Sequence, residues 1–175
     1  MRRGGFSLRP ARHDEVDVLL AIERAADARF AEVGHPELAS GPERPIDAVR
    51  RAIDSGRITV ADVDGAPVGF VIRATHDGRA CIAQLSVLAS HGRRGVGGAL
   101  LELAVAAFRA EGHATVVLFT QSDVPWNGPW YERHGFSVVP EAAWTPAMRA
   151  EIASQVAEGL DRATRVPMLR SLATS

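Results

Sequence analysis

The sequence predicts an α/β protein whose sheet is mixed, mostly antiparallel, and flanked by helices. Two observations predict it. In the first half, two apolar runs straddle Asp64-Gly65, a strong two-residue hairpin signal, so the strands there run antiparallel. In the second half, an apolar stripe at helical spacing over residues 95–111 leads into the fully apolar run "ATVVLFT". That is the pattern of a crossover into a buried strand, and hairpins followed by crossovers make the sheet mixed. The expected order is β-α-α-β-β-β-α-β-α-β-α-β.

Each element has its own warrant. Residues 6–11 form a short strand that Pro10 ends. Asp14 is expected to cap a helix whose apolar face is Leu19, Ile22, Ala26 and Phe30. Residues 32–45, rich in Gly and Pro, read as loop, and a shorter helix follows over 46–54. The hairpin covers 57–74, and a turn at Asp77-Gly78 joins it to a third strand over 80–89. The helix over 95–111 turns Val96, Leu100, Leu103 and Ala107 to one face and stops at Gly112. "ATVVLFT" is expected at the centre of the sheet. "PWYERHGF" reads as a brief helix ended by Gly135, with "FSVV" a strand after it. Thr145 as N-cap and Pro146 at the first helical position start a further helix. "TRVPMLRSL" closes the chain as a strand, which Pro167 directs towards an edge.

Composition narrows the function. A chain of 175 residues is expected to be one domain, 1–175, able to bury a real core. With 46% apolar and 23% charged residues and a net charge of −1, it has no basic face for nucleic acid. Arg2-Arg3, Arg50-Arg51 and Arg93-Arg94 are short basic runs that read as solvated surface. The lone cysteine, Cys81, excludes a disulfide framework and a Cys-rich metal site, and its apolar run reads it as a small buried hydrophobe. No apolar stretch follows the basic N-terminus and none is long enough to span a bilayer. The expectation is a cytoplasmic protein without membrane, nucleic-acid or metal partners.

"SHGRRGVGGALL", residues 90–101, crowds glycines and arginines before an apolar helix. Such a turn presents bare N–H groups at a helix N-terminus, where the dipole favours an anion. ATP by a P-loop would need Lys and Ser/Thr after the last glycine, but Ala99 and Leu100 stand there. A dinucleotide would need three spaced glycines and an acid ending the next strand, which ends in Gln121.

The segment "QLSVLASHGRRGVGGALLELAVAAFRAEG", a strand, and then "WYERHGF" resemble the GNAT superfamily of acyl-CoA-dependent N-acyltransferases. The likeness covers about half the chain; Gly92 departs from it, standing where the family has Arg or Gln. It implies a cofactor core over about 57–139 and a C-terminal helix and strand over about 145–172. It also implies acetyl-CoA as cosubstrate, with its pyrophosphate cradled by the amides of Arg93, Arg94, Gly95, Val96, Gly97 and Gly98. Leu85, Ser86 and Val87 would pair with the pantetheine like a neighbouring strand, and the Val87 N–H would meet the oxyanion.

By the same resemblance Tyr131, the only tyrosine, is the general acid that protonates the departing thiolate. Asn127 hydrogen-bonds the cofactor or caps its helix. The base is less marked, because Gln84 and Gln121 stand where family members often have a carboxylate. Water, or Glu23, Asp27, His35 or Asp123, is left for that task, with Glu23 at the edge of the first helix's buried face. His91, His113 and His134 read as solvated. Trp126 and Trp130 either wall an acceptor pocket or belong to the core. The acceptor is expected to be a small-molecule primary amine, and a homodimer paired through the final strand is an arrangement the family allows. The alternative is a non-catalytic acyl-CoA-binding protein on the same fold.

Overall fold

The computed structural model describes residues 2–3, 5–76 and 78–173. By packing, the chain divides into two units, Met1–Ala74 with Ile82–Ala106, and Thr75–Cys81 with Ala107–Ser175.

In the first unit, β1 (Arg2–Arg3), β2 (Phe6–Pro10), β3 (Ile58–Val63), β4 (Ala66–His76) and β5 (Arg79–Val87) neighbour one another in that order. The side chains of Arg2 and Arg3, like Asp77 of the expected turn, lie outside the described residues. Asp64 and Gly65 both take left-handed φ, 51° and 91°, giving the two-residue turn expected between β3 and β4. Three helices precede β3: α1 (Val16–Asp27), α2 (Pro36–Ala39) and α3 (Ile46–Asp54). Leu19, Leu20 and Ile22 of α1 and Val49 of α3 pack with Ile58, Val60, Phe70 and Ile72 of the sheet in one buried cluster.

Three expectations in this unit need correction. Asp14 does not cap α1. A 3-10 turn, His13–Glu15, leads into the helix, and it is the Glu15 carboxylate that accepts the Arg12 N–H at 2.8 Å. The Gly/Pro-rich loop contains α2, started by Pro36, which tolerates a first helical position because no N–H is needed there. In α4 (Val96–Ala110), Leu103 is 43% exposed, and the buried stripe runs instead through Val96, Leu100, Leu101, Ala104, Val105 and Phe108.

In the second unit the sheet order is β5, β6 (Thr115–Gln121), β8 (Arg165–Ser171), β7 (Ser137–Val138). β6 pairs parallel with β5 at Ala80↔Val116 and Cys81↔Val117, and antiparallel with β8 from Thr115↔Ser171 to Gln121↔Arg165. It is therefore interior, as its apolar run predicts. Around it stand α5 (Gly128–Arg133) and α6 (Pro146–Ala157). Thr145 caps α6 as expected, its hydroxyl accepting the Met148 N–H at 3.3 Å.

β8 departs from expectation: it lies between β6 and β7 and is not the edge. Pro167 fits because β7 is only two residues long. The Pro167 carbonyl accepts the Val139 N–H at 3.0 Å just past β7, so the missing donor faces the side where the partner strand stops. Among the described residues no helix is long and apolar enough to cross a membrane, and no group of three His, Cys, Asp or Glu is placed to hold a metal ion.

Candidate functional site

Asn127 apart, the residues predicted to hold the cofactor lie in the first unit. Strand alternation turns Ser86 inward, 2% exposed, with Leu85 and Val87 half-buried. Gly69 of β4 lies against them: a Cβ there would stand 2.8 Å from the Ser86 carbonyl oxygen and 3.2 Å from Val87 Cα. Only glycine allows this approach. Gly69 lies inside a strand pattern, where a glycine is a signal for a close backbone neighbour.

After β5, Ala89–His91 make one 3-10 turn, and the chain swings into α4 through left-handed Arg93 and Gly95, at φ 57° and 79°. The first helical bond runs from the Ala99 N–H to the Gly95 carbonyl at 3.0 Å. The amides of Val96, Gly97 and Gly98 therefore precede the ladder. Arg93 and Arg94 are exposed beside them. Successive N–H groups, the positive end of a fifteen-residue helix and two guanidinium groups suit a diphosphate, and glycines leave room for it. The residues present thus fit the pyrophosphate of coenzyme A.

Glu23 is half-buried but engaged. Arg44 reaches both its oxygens, Nη2 to Oε1 at 3.1 Å and Nε to Oε2 at 3.4 Å. Arg44 Nη2 also lies 3.4 Å from Gln84 Oε1, and Gln84 Nε2 donates to Ser86 Oγ at 2.9 Å. One guanidinium thus takes a lone pair on each Glu23 oxygen, so the carboxylate stands as an ion pair and not alone. Arg44, overlooked in the sequence, comes from the Gly/Pro-rich loop, where nothing local marks its partner. His35 is buried, with Nδ1 3.0 Å from Glu37 Oε1.

The predicted acid lies in the second unit. Tyr131 is on α5, whose first turn is set by the Tyr131 N–H bonding the Asn127 carbonyl at 2.8 Å. Asn127 occupies the N-cap position, yet its side chain makes no capping bond. A Cβ on Gly128 would stand 2.9 Å from the Ser122 carbonyl oxygen, so α5 begins hard against the end of β6. Gly135, at φ 77°, closes the helix, and the Tyr131 ring meets Trp130 and Phe136 edge-on at 5.0 and 5.7 Å. Burial pushes the Tyr131 hydroxyl up to about 12, with the Arg165 charge pulling back against it.

The aromatic and histidine expectations divide. Trp130 lies over His134, ring centres 4.0 Å apart, and His134 Nδ1 is 2.9 Å from the Trp130 carbonyl oxygen. His113 meets Phe108 edge-on at 5.6 Å, and His91 Nδ1 lies 3.0 Å from Ser90 Oγ. All three histidines are half-buried, each with a neighbour of its own. Trp126 is half-buried and Asp27 likewise, whereas Asp123 is exposed. Cys81 is buried as expected, and burial pushes its thiol up to about 12. A cavity of about 470 Å³ between α6 and the β6 face, lined by His76, Arg79, Phe119, Met148 and Glu151 among others, holds none of the predicted site residues.

Residues 54–138 match a family model described as an acetyltransferase (GNAT) domain. Solved structures share the fold across nearly the whole chain. N-acetylglutamate synthase from Neisseria gonorrhoeae, complexed with coenzyme A and N-acetyl-glutamate, aligns at TM-score 0.74 and 19% identity, over 99% of this chain and 36% of that one. The present chain thus spans about a third of that protein. A GNAT-family acetyltransferase from Staphylococcus aureus Mu50 aligns at TM-score 0.73 and 11% identity, over 96% of this chain and 99% of that one. The ribosomal-protein-S18-alanine N-acetyltransferase from Escherichia coli aligns at TM-score 0.68 and 16% identity, over 97% and 96%. Residues 54–138 are thus similar to the GNAT domain, and the chain as a whole shares its fold with solved GNAT acetyltransferases.

Proposed function

We propose that the chain is a single acetyl-CoA-dependent N-acetyltransferase domain acting on a primary amine of a small molecule, with Tyr131 as general acid. The observation that carries this reading is the glycine turn into α4, whose Val96, Gly97 and Gly98 amides precede the helical ladder. Acetyl-CoA supplies an activated thioester. The amides of residues 93–98 hold the diphosphate, Leu85, Ser86 and Val87 line the pantetheine, and the Asn127 amide, unspent on its helix, is available to the cofactor.

Tyr131 holds the proton destined for sulfur. At about 12 its hydroxyl is protonated across the physiological range. It is also a weaker acid than the phenol near 10 that the sequence suggests. A thiolate leaving into equally desolvated surroundings is raised by the same effect, which keeps donor and acceptor matched. Glu23, held by Arg44, orients that guanidinium, and the amine loses its proton to water.

The engagement of Glu23 also favours a second reading, an acyl-CoA-binding protein that transfers nothing. Thiol release from acetyl-CoA against polyamines, amino acids, aminoglycosides and short peptides separates the two. Turnover with one class, falling at least roughly tenfold in Tyr131→Phe, is expected of the enzyme. Its rate should show no loss from Tyr131 ionisation below about pH 10, two units under the phenol's raised pKa. Saturable acetyl-CoA binding without turnover would favour the second reading.

A further inference from the structure

Gln121 is the one buried side chain among the described residues with an orphaned polar atom. It ends β6, is 1% exposed, and its Nε2 has no hydrogen-bond partner. Its orientation is not open to exchange. Gln121 and Arg165 face each other across β6 and β8, and Arg165 Nη1 donates to Gln121 Oε1 at 2.8 Å. A reversed amide would set its NH2 against the guanidinium, donor to donor.

Arg165 is itself fixed. Its Nε donates to Gln155 Oε1 at 2.6 Å, and Gln155 Nε2 donates to Glu151 Oε1 at 2.6 Å. Three residues from two elements therefore hold the Gln121 amide with its NH2 turned away from Arg165. An unpaired buried donor is costly, and native chains retain one where a ligand or water supplies the acceptor. The place matters too: Gly128 brings the start of α5 within van der Waals reach of the Gln121 backbone, one turn from Tyr131.

We propose that Gln121 Nε2 donates to a carbonyl or carboxylate oxygen of the acyl acceptor, so that the amine this site takes carries such an oxygen beside it, as amino acids and peptide N-termini do and polyamines do not. This rests on the reading of the chain as an N-acetyltransferase. Arg165, behind the amide, polarises it towards donation and favours an oxygen with negative charge.

Gln121→Glu tests it, because the carboxylate keeps an acceptor for Arg165 and replaces the NH2 donor with an oxygen. Acetyl-CoA thiol release would be compared for alaninamide, alanine, a tripeptide with a free N-terminus, and isopropylamine, which lacks the oxygen. The wild type should prefer one or more of the first three over isopropylamine. The variant should lose at least roughly tenfold more in kcat/KM for them than for isopropylamine, mainly through KM, with acetyl-CoA affinity within twofold of wild type. Whether alanine or the tripeptide responds more identifies the source of the oxygen. Equal losses for all four amines, or none, would overturn the proposal.

A direct readout does not depend on turnover. The Gln121 side-chain amide resonances, assigned by their absence in Gln121→Glu, should shift with alaninamide and stay put with isopropylamine. No shift with any of the oxygen-bearing amines, or the same shift with isopropylamine, would mean that the amide bonds only water. Absence of turnover with every amine would count against the transferase reading alone, and the resonances would still decide for or against Gln121.

Discussion

At the scale of single residues, the site depends on backbone that admits no side chain. Gly69→Ala would drive a Cβ to 2.8 Å from the Ser86 carbonyl oxygen, a backbone atom that cannot swing aside. We expect a loss of about 1–3 kcal/mol in urea unfolding, the usual range for overpacking. This residue was readable in principle, since a strand glycine invites the question of what lies against it. The partners of Glu23 and Gln121 were not. Glu23–Arg44 spans 21 positions and Gln121–Arg165 spans 44, and no local pattern reports a contact of that separation. Tyr131 was legible as a residue, whereas the desolvation of its hydroxyl comes from packing that only the fold shows.

At the scale of elements, what the sequence made legible was the chemistry of ends and turns. Asp64-Gly65, the Thr145 cap and the α3 boundaries follow from neighbours within a few residues, and all three appear where expected. The rotated buried stripe of α4 and the interior place of β8 were not legible, because they depend on which surfaces meet. The turn into α4 gives the element-scale prediction. Gly95 sits at φ 79° with open space around it, so Gly95→Ala meets no clash and is disfavoured by conformation alone. That should destabilise the turn by about 1–2 kcal/mol. On the proposed reading, acetyl-CoA affinity measured by calorimetry should fall several-fold while the far-UV spectrum is unchanged.

At the scale of the whole molecule, acid sensitivity has a localised source. Arg9 Nη2 lies 2.6 Å from both Glu15 Oε1 and Asp62 Oδ2, tying β2 to the start of α1 and to β3. Burial opposes the charge on both carboxyls. Hydrogen bonds from Arg9, with the Arg12 N–H on Glu15 and the Gly65 N–H on Asp62, outweigh it and hold both below the ordinary carboxylate range. The unfolded chain therefore binds more protons between the folded and unfolded values, so stability rises with pH there. The contribution is complete above about pH 5 and is lost as pH falls through the depressed folded values. Unfolding midpoints in urea between pH 6 and pH 3 should decline steeply in the wild type. In Arg9→Met the decline should be shallower, starting from a stability roughly 3 kcal/mol lower at pH 7, because buried Asp62 then lacks its ion-pair partner and Glu15 keeps only Arg12, 2.9 Å away.

The molecule also carries its own clock. Its single thiol, Cys81, is 3% exposed on β5 at the point where that strand pairs with Val117 of β6, and it is scarcely ionised at neutral pH. An alkylating reagent finds almost nothing to attack until those two strands part. The rate at which a chain becomes labelled thus counts openings of one seam in the sheet, with no second sulfhydryl to confuse the tally. Comparing that rate with and without acetyl-CoA would say whether the proposed cosubstrate holds the seam shut.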